Sequence, residues 1–297
     1  MAAKDDELDS LRDEIDGIDR SLHDLIMKRV QVTRRIGEIK KAAGDGAAFF
    51  RPGREALVLR GLVARHRGAF PAGALVRVWR EIMGATLCLQ GPFAVAVFAP
   101  KDHRGYLGLA RDHFGTEAPM TAYSRTGQVF AALRDGTATV GLLPWPHESH
   151  SDPWWRHLIA KDENPPRIVA GLPFIGAARD RGDAVRGLLV GRHSAEATGR
   201  DRSFLAVETT SGVSRPRLRE ALGAFAPSPT PVAVLRGNGG EGTDLHLVEV
   251  DGMIAADDRR VGDLTRKGDG TIHAATVLGG YAEPISAADL GVEAAAQ

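Results

Sequence analysis

A chain of 297 residues, 43% of them apolar, is long enough for two or three domains with buried cores. Its 38 basic side chains balance its 38 acidic ones, which argues against a nucleic-acid or polyanion binder. A single cysteine, Cys88, excludes a disulfide framework and a thiolate metal cluster, and it is typical of a protein of the reducing cytoplasm. The acidic N-terminus is unlike a signal peptide. The sequence also contains no run of about 18 apolar residues, so no membrane span is predicted.

The first 91 residues predict three helices. Apolar residues at intervals of three and four predict one long helix over residues 8–42, about 50 Å in length, which needs partners along that length. Pro52 favours the start of a second helix beside Arg51, and the segment GAFPAG ends it. A third helix is predicted from about Ala74 to Gln90.

Two cations of the long helix lie on or beside its apolar stripe. Arg29 and Lys40 are separated by about 20° around the helix and about 16 Å along it. Each alone is more typical of a solvated side chain whose stem covers apolar surface. Together they indicate a site for a small anion such as a di-acid, since buried cations are costly without compensating charge. Arg12 is about 42 Å from Lys40 along the helix, so it can join this site only from a second, antiparallel copy.

The other two helices supply companions for these cations. Arg51, Arg54 and Glu55 stand at the start of the second helix. Thr86 and Gln90, four residues apart, share one face at the end of the third. Cations for carboxylates, a carboxylate for a hydroxyl and an amide donor make a coherent binding pocket.

From residue 92 onward the pattern alternates between strands and helices, which is typical of an α/β fold. A strand is predicted at AVAVFAP, helices at GYLGLARDHFG and GQVFAALRDG, and a strand at TATVGLLPWP. The later segments predict three strands, a helix, and three more strands: RIVAGLPFI, AVRGLLVGR, RSFLAVET, RPRLREALGAF, TPVAVLRG, DLHLVEVDGMI and IHAATVLGGYAEP.

Four blocks between residues 8 and 91 resemble the all-helical chorismate mutases in order and spacing: LRDEIDGIDRSLHDLIMKR, RRIGEIKK, RPGREALVLRGL and VWREIMGATLCLQ. The resemblance implies an intertwined homodimer with two shared active sites that convert chorismate to prephenate, and it implies no cofactor and no metal.

The same resemblance assigns roles to individual residues. It implies that Arg29, and Arg12 of the partner chain, hold the substrate carboxylates, that Lys40 and Gln90 donate to the ether oxygen, and that Glu55 binds the ring hydroxyl. The remaining substrate-binding positions are Arg51, Arg54 and Thr86. Arg51 stands where an acidic residue is common in the family, which implies an altered substrate affinity.

Residues 92–203 resemble a prephenate dehydratase domain, as in the bifunctional chorismate mutase–prephenate dehydratases. The catalytic segments depart from that family: APKDHRGY stands for the glycine-threonine loop, PWPHES for the Glu-Asn-Ser segment, and Arg202-Ser203-Phe204 for Thr-Arg-Phe. We therefore expect a dehydratase fold without dehydratase activity. Residues 204–297 resemble an ACT-type βαββαβ regulatory domain with a tail, without the family's phenylalanine-binding Glu-Ser-Arg-Pro motif.

The expected protein is thus a multi-domain, cytoplasmic chorismate mutase of phenylalanine and tyrosine biosynthesis. It has an all-α domain at residues 1–91, an α/β region and an α+β region. The C-terminal regions would stabilise the dimer, tune activity or dock an aromatic-pathway partner enzyme. Two alternatives stay open: a bifunctional mutase–dehydratase, and a non-catalytic sensor or scaffold.

Three weaker signals predict no site. Gly237–Gly242 satisfies G-x-G-x-x-G but leads into a strand pattern, which predicts a hairpin turn. His147 and His150 lack a convincing third metal ligand, which favours a surface cluster. Cys88 lies among apolar neighbours and is predicted to be an inert core residue.

Overall fold

The computed structural model describes residues 2–42, 49–101, 105–159, 164–175, 185–237, 242–266 and 270–291. Three helices come first: α1 (Ala2–Ala42), α2 (Pro52–Arg65) and α3 (Ala72–Gln90). They confirm the all-α start of the predicted fold class. Helix α1 begins before the predicted residue 8. Its acidic first turn and basic last turn both suit the helix dipole.

An α/β part follows the helices. Strands β1, β2 and β3 are parallel, and β5 joins β3 to β4 in antiparallel fashion. The elements are β1 (Val95–Phe98), α4 (Gly105–Phe114), β2 (Met120–Tyr123), α5 (Thr126–Arg134), β3 (Val140–Pro144), a 3₁₀ helix (Trp154–Ile159), β4 (Arg167–Leu172) and β5 (Gly187–Gly191). Strand β2 was not predicted, because it is a four-residue edge strand with two exposed side chains and no apolar run.

The last part has the element order βαββαβ that the ACT-type resemblance implied. Its antiparallel strands lie in the order β9-β6-β8-β7. The elements are β6 (Asp201–Thr210), α6 (Arg215–Leu222), β7 (Thr230–Leu235), β8 (Thr243–Asp251), α7 (Arg259–Arg266) and β9 (Ile272–Ala282). The expected boundary between residues 203 and 204 falls inside β6. This strand pairs along its length with β8 and β9, so the βαββαβ unit begins at Asp201.

The two C-terminal parts share one nine-stranded sheet, in the order β2-β1-β3-β5-β4-β9-β6-β8-β7. The junction is a parallel contact between Ile168 of β4 and Gly279 of β9. A Cβ on Gly279 would come within 2.2 Å of the Ile168 carbonyl oxygen, and the residue has φ +116°, so only glycine fits there. The α/β and α+β parts are therefore joined through their backbones.

The helical part packs on this sheet through α2 and α3. A Cβ on Gly84 of α3 would lie 1.7 Å from the carbonyl oxygen of Phe114 at the end of α4. A shared apolar cluster also joins the parts, with Ala56, Leu59 and Met83 of the helices in contact with Phe174 and Ile285.

Helix α1 behaves differently from α2 and α3. Most of its large apolar side chains are exposed, among them Leu8, Leu11, Ile15, Ile18, Leu22, Leu25, Ile36 and Ile39, whereas Ile26 and Val30 are partly covered. Exposed apolar residues in such a continuous stripe mark an interaction surface. Among the helices of the described ranges, none combines the length and the apolar composition needed to cross a bilayer.

Candidate active site

The candidate site lies where the second half of α1 meets α3. Along α1, Arg29, Thr33, Gly37 and Lys40 are at least partly covered, whereas most neighbouring side chains are exposed. A Cβ on Gly37 would lie 3.4 Å from the Cα of Gln90, so the two helices approach closely at this turn. Lys40 is three residues further on and shares this face of α1.

Arg29 and Thr86 connect the two helices directly. The Arg29 Nη1 donates a hydrogen bond of 3.4 Å to the Thr86 hydroxyl. The single proton of that hydroxyl is shared between the carbonyls of Ile82 and Met83, so the hydroxyl is fixed by its own helix. One turn further along, Gln90 Nε2 donates to the Thr86 carbonyl at 3.3 Å. Three of the predicted residues therefore lie side by side.

Glu55 completes this cluster from α2. Its side chain is only 13% exposed, and its Oε2 accepts a hydrogen bond of 2.7 Å from Nη1 of Arg80 on α3. Burial raises the pKa of the Glu55 carboxyl, while Arg80 and then Arg29 oppose that change with their positive charges. Burial likewise lowers the pKa of Arg29, which Glu55 opposes. Arg29 and Glu55 are thus near enough to interact.

Sequence reasoning missed Arg80. It lies inside the quoted block VWREIMGATLCLQ but was assigned no role, since a cation within an apolar helix most often reaches solvent. In the structure it is 5% exposed and pairs with Glu55. Its spacing from Met83, Gly84 and Leu87 places it on the core-facing stripe of α3, and this was the signal available in the sequence.

Three predicted residues lie outside the cluster within one chain. Arg51 turns toward the α/β part, where its guanidinium bonds Glu196 at 2.6 and 2.7 Å. Within this chain Arg51 therefore pairs with a carboxylate of the α/β part, and its predicted substrate contact stays a prediction. Arg54 is exposed on α2. Arg12 is 72% exposed and pairs with Asp9 of its own helix at 2.8 Å.

The cluster suits binding better than covalent chemistry. Arg29 and Lys40 supply positive charge, Thr86 and Gln90 supply polar groups, and Glu55 supplies an acceptor. Such a set can hold a small molecule that carries carboxylates and a hydroxyl. Its cations can also stabilise negative charge that grows on a bound oxygen atom.

Away from this cluster, a cleft of about 910 Å³ lies at the carboxyl ends of β1, β2 and β3. This is where open α/β sheets commonly bind ligands. Its polar lining includes Arg125, His150, Asp152 and His157, and the Thr126 hydroxyl donates to Asp152. The segment PWPHES, expected to replace a catalytic Glu-Asn-Ser, begins at the last residue of β3 beside this cleft.

In the segment Arg202-Ser203-Phe204, the polar side chains bond to neighbouring parts of the βαββαβ unit. The Ser203 hydroxyl donates to the Gly252 carbonyl and accepts from the Ile254 N–H, each at 2.8 Å. Arg202 forms ion pairs with three carboxylates: those of Glu249, Asp251 and Glu283. The polar groups of this segment are therefore committed to structural contacts.

The structure also shows the surroundings of the three weaker sequence signals: the glycine-rich segment, the histidine pair and Cys88. Gly237 and Gly242 lie between the antiparallel strands β7 and β8, and the four residues between them fall outside the described ranges. The ring centroids of His147 and His150 are 5.9 Å apart. No group of three metal-ligating side chains occurs in the described ranges. Burial raises the pKa of the Cys88 thiol, which makes it less reactive.

Comparison with known proteins identifies the helical part. Residues 11–91 match the family model for chorismate mutase type II. The bifunctional chorismate mutase/prephenate dehydratase of Pseudomonas aeruginosa is 32% identical over 145 residues, which are 48% of this chain and 40% of that protein. The protein of the same description from Aquifex aeolicus is 34% identical over 146 residues, or 47% of this chain and 39% of that protein. The chain thus spans about two fifths of the length of these curated relatives.

Solved structures resemble the chain more distantly. A prephenate dehydratase from Streptococcus mutans aligns over 65% of this chain and 100% of its own, at 15% identity and a TM-score of 0.42. A prephenate dehydratase from Arthrobacter aurescens covers 68% of this chain over 92% of its own, at 16% identity and a TM-score of 0.44. On the family match, residues 11–91 form a domain of the chorismate mutase type II family.

Proposed function

We propose that this chain is a chorismate mutase, which rearranges chorismate to prephenate in phenylalanine and tyrosine biosynthesis. The observation that supports this most directly is the buried Glu55 carboxylate that interacts with Arg29, which in turn bonds Thr86, on helices of the matching family. The cations would hold the two substrate carboxylates, and Glu55 would accept a hydrogen bond from the ring hydroxyl.

The proposed reaction is an intramolecular rearrangement that needs neither a nucleophile nor a transferred proton. The pocket would hold the compact conformer of chorismate and so reduce the entropic part of the barrier. As the C–O bond breaks, negative charge grows on the ether oxygen. Lys40 and Gln90 would donate to that oxygen, with the amide of Gln90 positioned by its bond to the Thr86 carbonyl.

We also propose an intertwined homodimer with two shared sites. Arg12 is exposed and about 42 Å from Lys40 along α1, so only a second chain can bring it to the pocket. The exposed apolar stripe of α1 supplies the surface for that second chain. The proposed location is the cytoplasm, where Cys88 would stay reduced.

The α/β part is proposed to have lost dehydratase activity. The engagement of Arg202 and Ser203 in sheet contacts supports this loss. Two observations favour the alternative, a bifunctional enzyme: the cleft beside β1, β2 and β3 is large and polar, and the curated relatives carry both names. With its dehydratase activity lost, this part would serve as a support for the helices or as a docking surface for an aromatic-pathway enzyme.

A chorismate-depletion assay on the purified full chain tests the proposal, with prephenate and phenylpyruvate separated by chromatography at neutral pH. The expected result is loss of chorismate with prephenate as the product. Phenylpyruvate formed at neutral pH would establish the bifunctional alternative. Bound chorismate that is never consumed would contradict the mutase proposal and favour a sensor or scaffold.

A further inference from the structure

The inference concerns the buried guanidinium of Arg80. It donates to Oε2 of Glu55 at 2.7 Å, and the two side chains are 6% and 13% exposed. Among the described residues, no hydrogen bond reaches the other carboxylate oxygen, Oε1. A buried ion pair costs desolvation and must be well oriented to persist. Arg80 thus fixes one oxygen of Glu55 from the core side.

The guanidinium of Arg80 is itself held by the α/β part of the chain. Its Cζ lies 5.3 Å from the ring centroid of Phe174, which follows β4. Phe174 is 7% exposed, and its carbonyl accepts a bond of 2.7 Å from the Ile285 N–H. Contact between a desolvated cation and an aromatic ring adds attraction as well as packing. The guanidinium is therefore held between the carboxylate of Glu55 and an aromatic ring of the sheet.

Electrostatics connect this arrangement to the charge state of Glu55. Burial raises the pKa of Glu55, and the positive charge of Arg80 makes the largest opposing contribution. Arg29 faces the same carboxylate from α1, and buried His113 of α4 faces Arg80. Burial and then the charge of Arg80 hold the pKa of His113 well below its usual range, so this ring stays neutral. Without Arg80, Glu55 would take up a proton at a higher pH than it now does.

We propose that Arg80 is a positioning residue of the mutase site, which aims the carboxylate of Glu55 at the substrate hydroxyl and is held in place by Phe174. This inference rests on the proposed chorismate mutase function. It makes the α/β part a support of the helical active site, because Phe174 belongs to that part.

The test measures the pH profile of kcat/KM for chorismate in the full chain. Arg80→Gln should lower kcat/KM at neutral pH about 10- to 100-fold, the range for a lost hydrogen bond to a charged group. The acidic limb of this variant's pH profile should move to higher pH, because Glu55 would take up a proton at a higher pH. Arg80→Lys keeps the positive charge and should restore most of the limb's position. The matched control is Arg236→Gln, which removes another guanidinium from a buried carboxylate, Asp244, near the β7 edge of the sheet. It should leave the profile unchanged.

A second variant covers the case in which Arg80→Gln does not fold. Phe174→Leu keeps the ion pair but removes the ring, and it should shift the acidic limb in the same direction by a smaller amount. Phe225→Leu is its control, since that ring lies 5.4 Å from Arg260 in the βαββαβ unit. Folded Arg80 or Phe174 variants with the wild-type profile would overturn this inference alone. A wild-type chain that does not convert chorismate would overturn the proposed function and this inference together.

Discussion

At the scale of residues, the arginines assigned to the candidate site differ in how deeply they are buried. Arg29 is half-buried between α1 and α3, Arg80 is enclosed in the core, and Arg12 is exposed. Glu55 is the acceptor shared by the first two. A guanidinium that already pairs with protein is less available to a ligand, so Arg29 is the better candidate for direct contact with a substrate carboxylate.

Lys40 and its neighbour Lys41 provide the sharpest test at this scale. Lys40 is partly covered on the face of α1 next to Gln90, whereas Lys41 is exposed. Lys40→Ala should lower kcat about 100- to 1,000-fold, because one preorganised donor to the developing oxyanion is lost. Lys41→Ala should stay near the wild-type value. Steady-state chorismate consumption by both variants, with circular dichroism as a check on folding, decides the matter. Similar rates for the two variants would show that the ether-oxygen donor is misassigned.

Part of the site could be predicted because helical spacing fixes which residues share a face. The spacing predicted that Arg29 shares a face with Lys40 and that Thr86 shares one with Gln90. In the structure Arg29, Thr86 and Gln90 lie together. The role of Arg80 could not be predicted, since its partners Glu55 and Phe174 come from two other segments of the chain. The contact of Arg51 with Glu196 was hidden for the same reason, as the residues are 145 positions apart.

At the scale of elements, α1 is the unusual one. It has 41 residues, so it extends for about 60 Å, and α3 covers only its second half. A helix that leaves a continuous apolar stripe in water is expected to find a partner. A second copy of α1 supplies both the missing cover and the distant Arg12.

Mixing two inactive variants tests this arrangement. Arg12→Ala and Lys40→Ala should each be nearly inactive alone, because each spoils both sites of a homodimer. In a hybrid dimer, one site receives intact Arg12 from one chain and intact Lys40 from the other. About a quarter of the wild-type activity should therefore return after random exchange of chains. Chain exchange is followed with a tagged copy, and exchange without recovery of activity would refute the shared site.

Elements with a strong apolar period could be predicted, and those without one could not. The three long helices and strands such as β6 and β8 follow directly from their patterns. Strand β2 and helix α7 were missed: β2 is a short edge strand, and α7 spans eight residues that are mostly charged or small. Their formation depends on neighbours in the folded chain, since α7 buries only Val261 and Leu264.

At the scale of the whole molecule, the helices and the sheet form a packed unit. Helix α3 contacts α4 so closely at Gly84 that no side chain fits. Helix α2 contacts the sheet side through Arg60, which donates to Thr198 and to the carbonyls of Arg200 and Glu283. A change in the C-terminal parts can therefore reach the candidate site through these contacts.

Two helical glycines give a matched test of this packing. Gly84→Ala should lower the free energy of unfolding by about 3 kcal/mol or more, because its Cβ would meet the backbone carbonyl of Phe114. Gly61→Ala lies on α2 with no atom within 4 Å and should raise it by about 0.5–1 kcal/mol. Urea unfolding followed by tryptophan fluorescence measures both. Equal stability of the two variants would mean that α3 does not pack on α4 as described.

The placement of β9 between β4 and β6 has a consequence for biosynthesis. Strand β4 ends at residue 172, and its neighbour β9 begins about a hundred residues later, at residue 272. A growing polypeptide therefore leaves the ribosome with one edge of β4 unpaired while all of that intervening sequence is translated. Sheet closure must wait until β9 has emerged, so the nascent chain depends during that interval on protection from aggregation at the open edge.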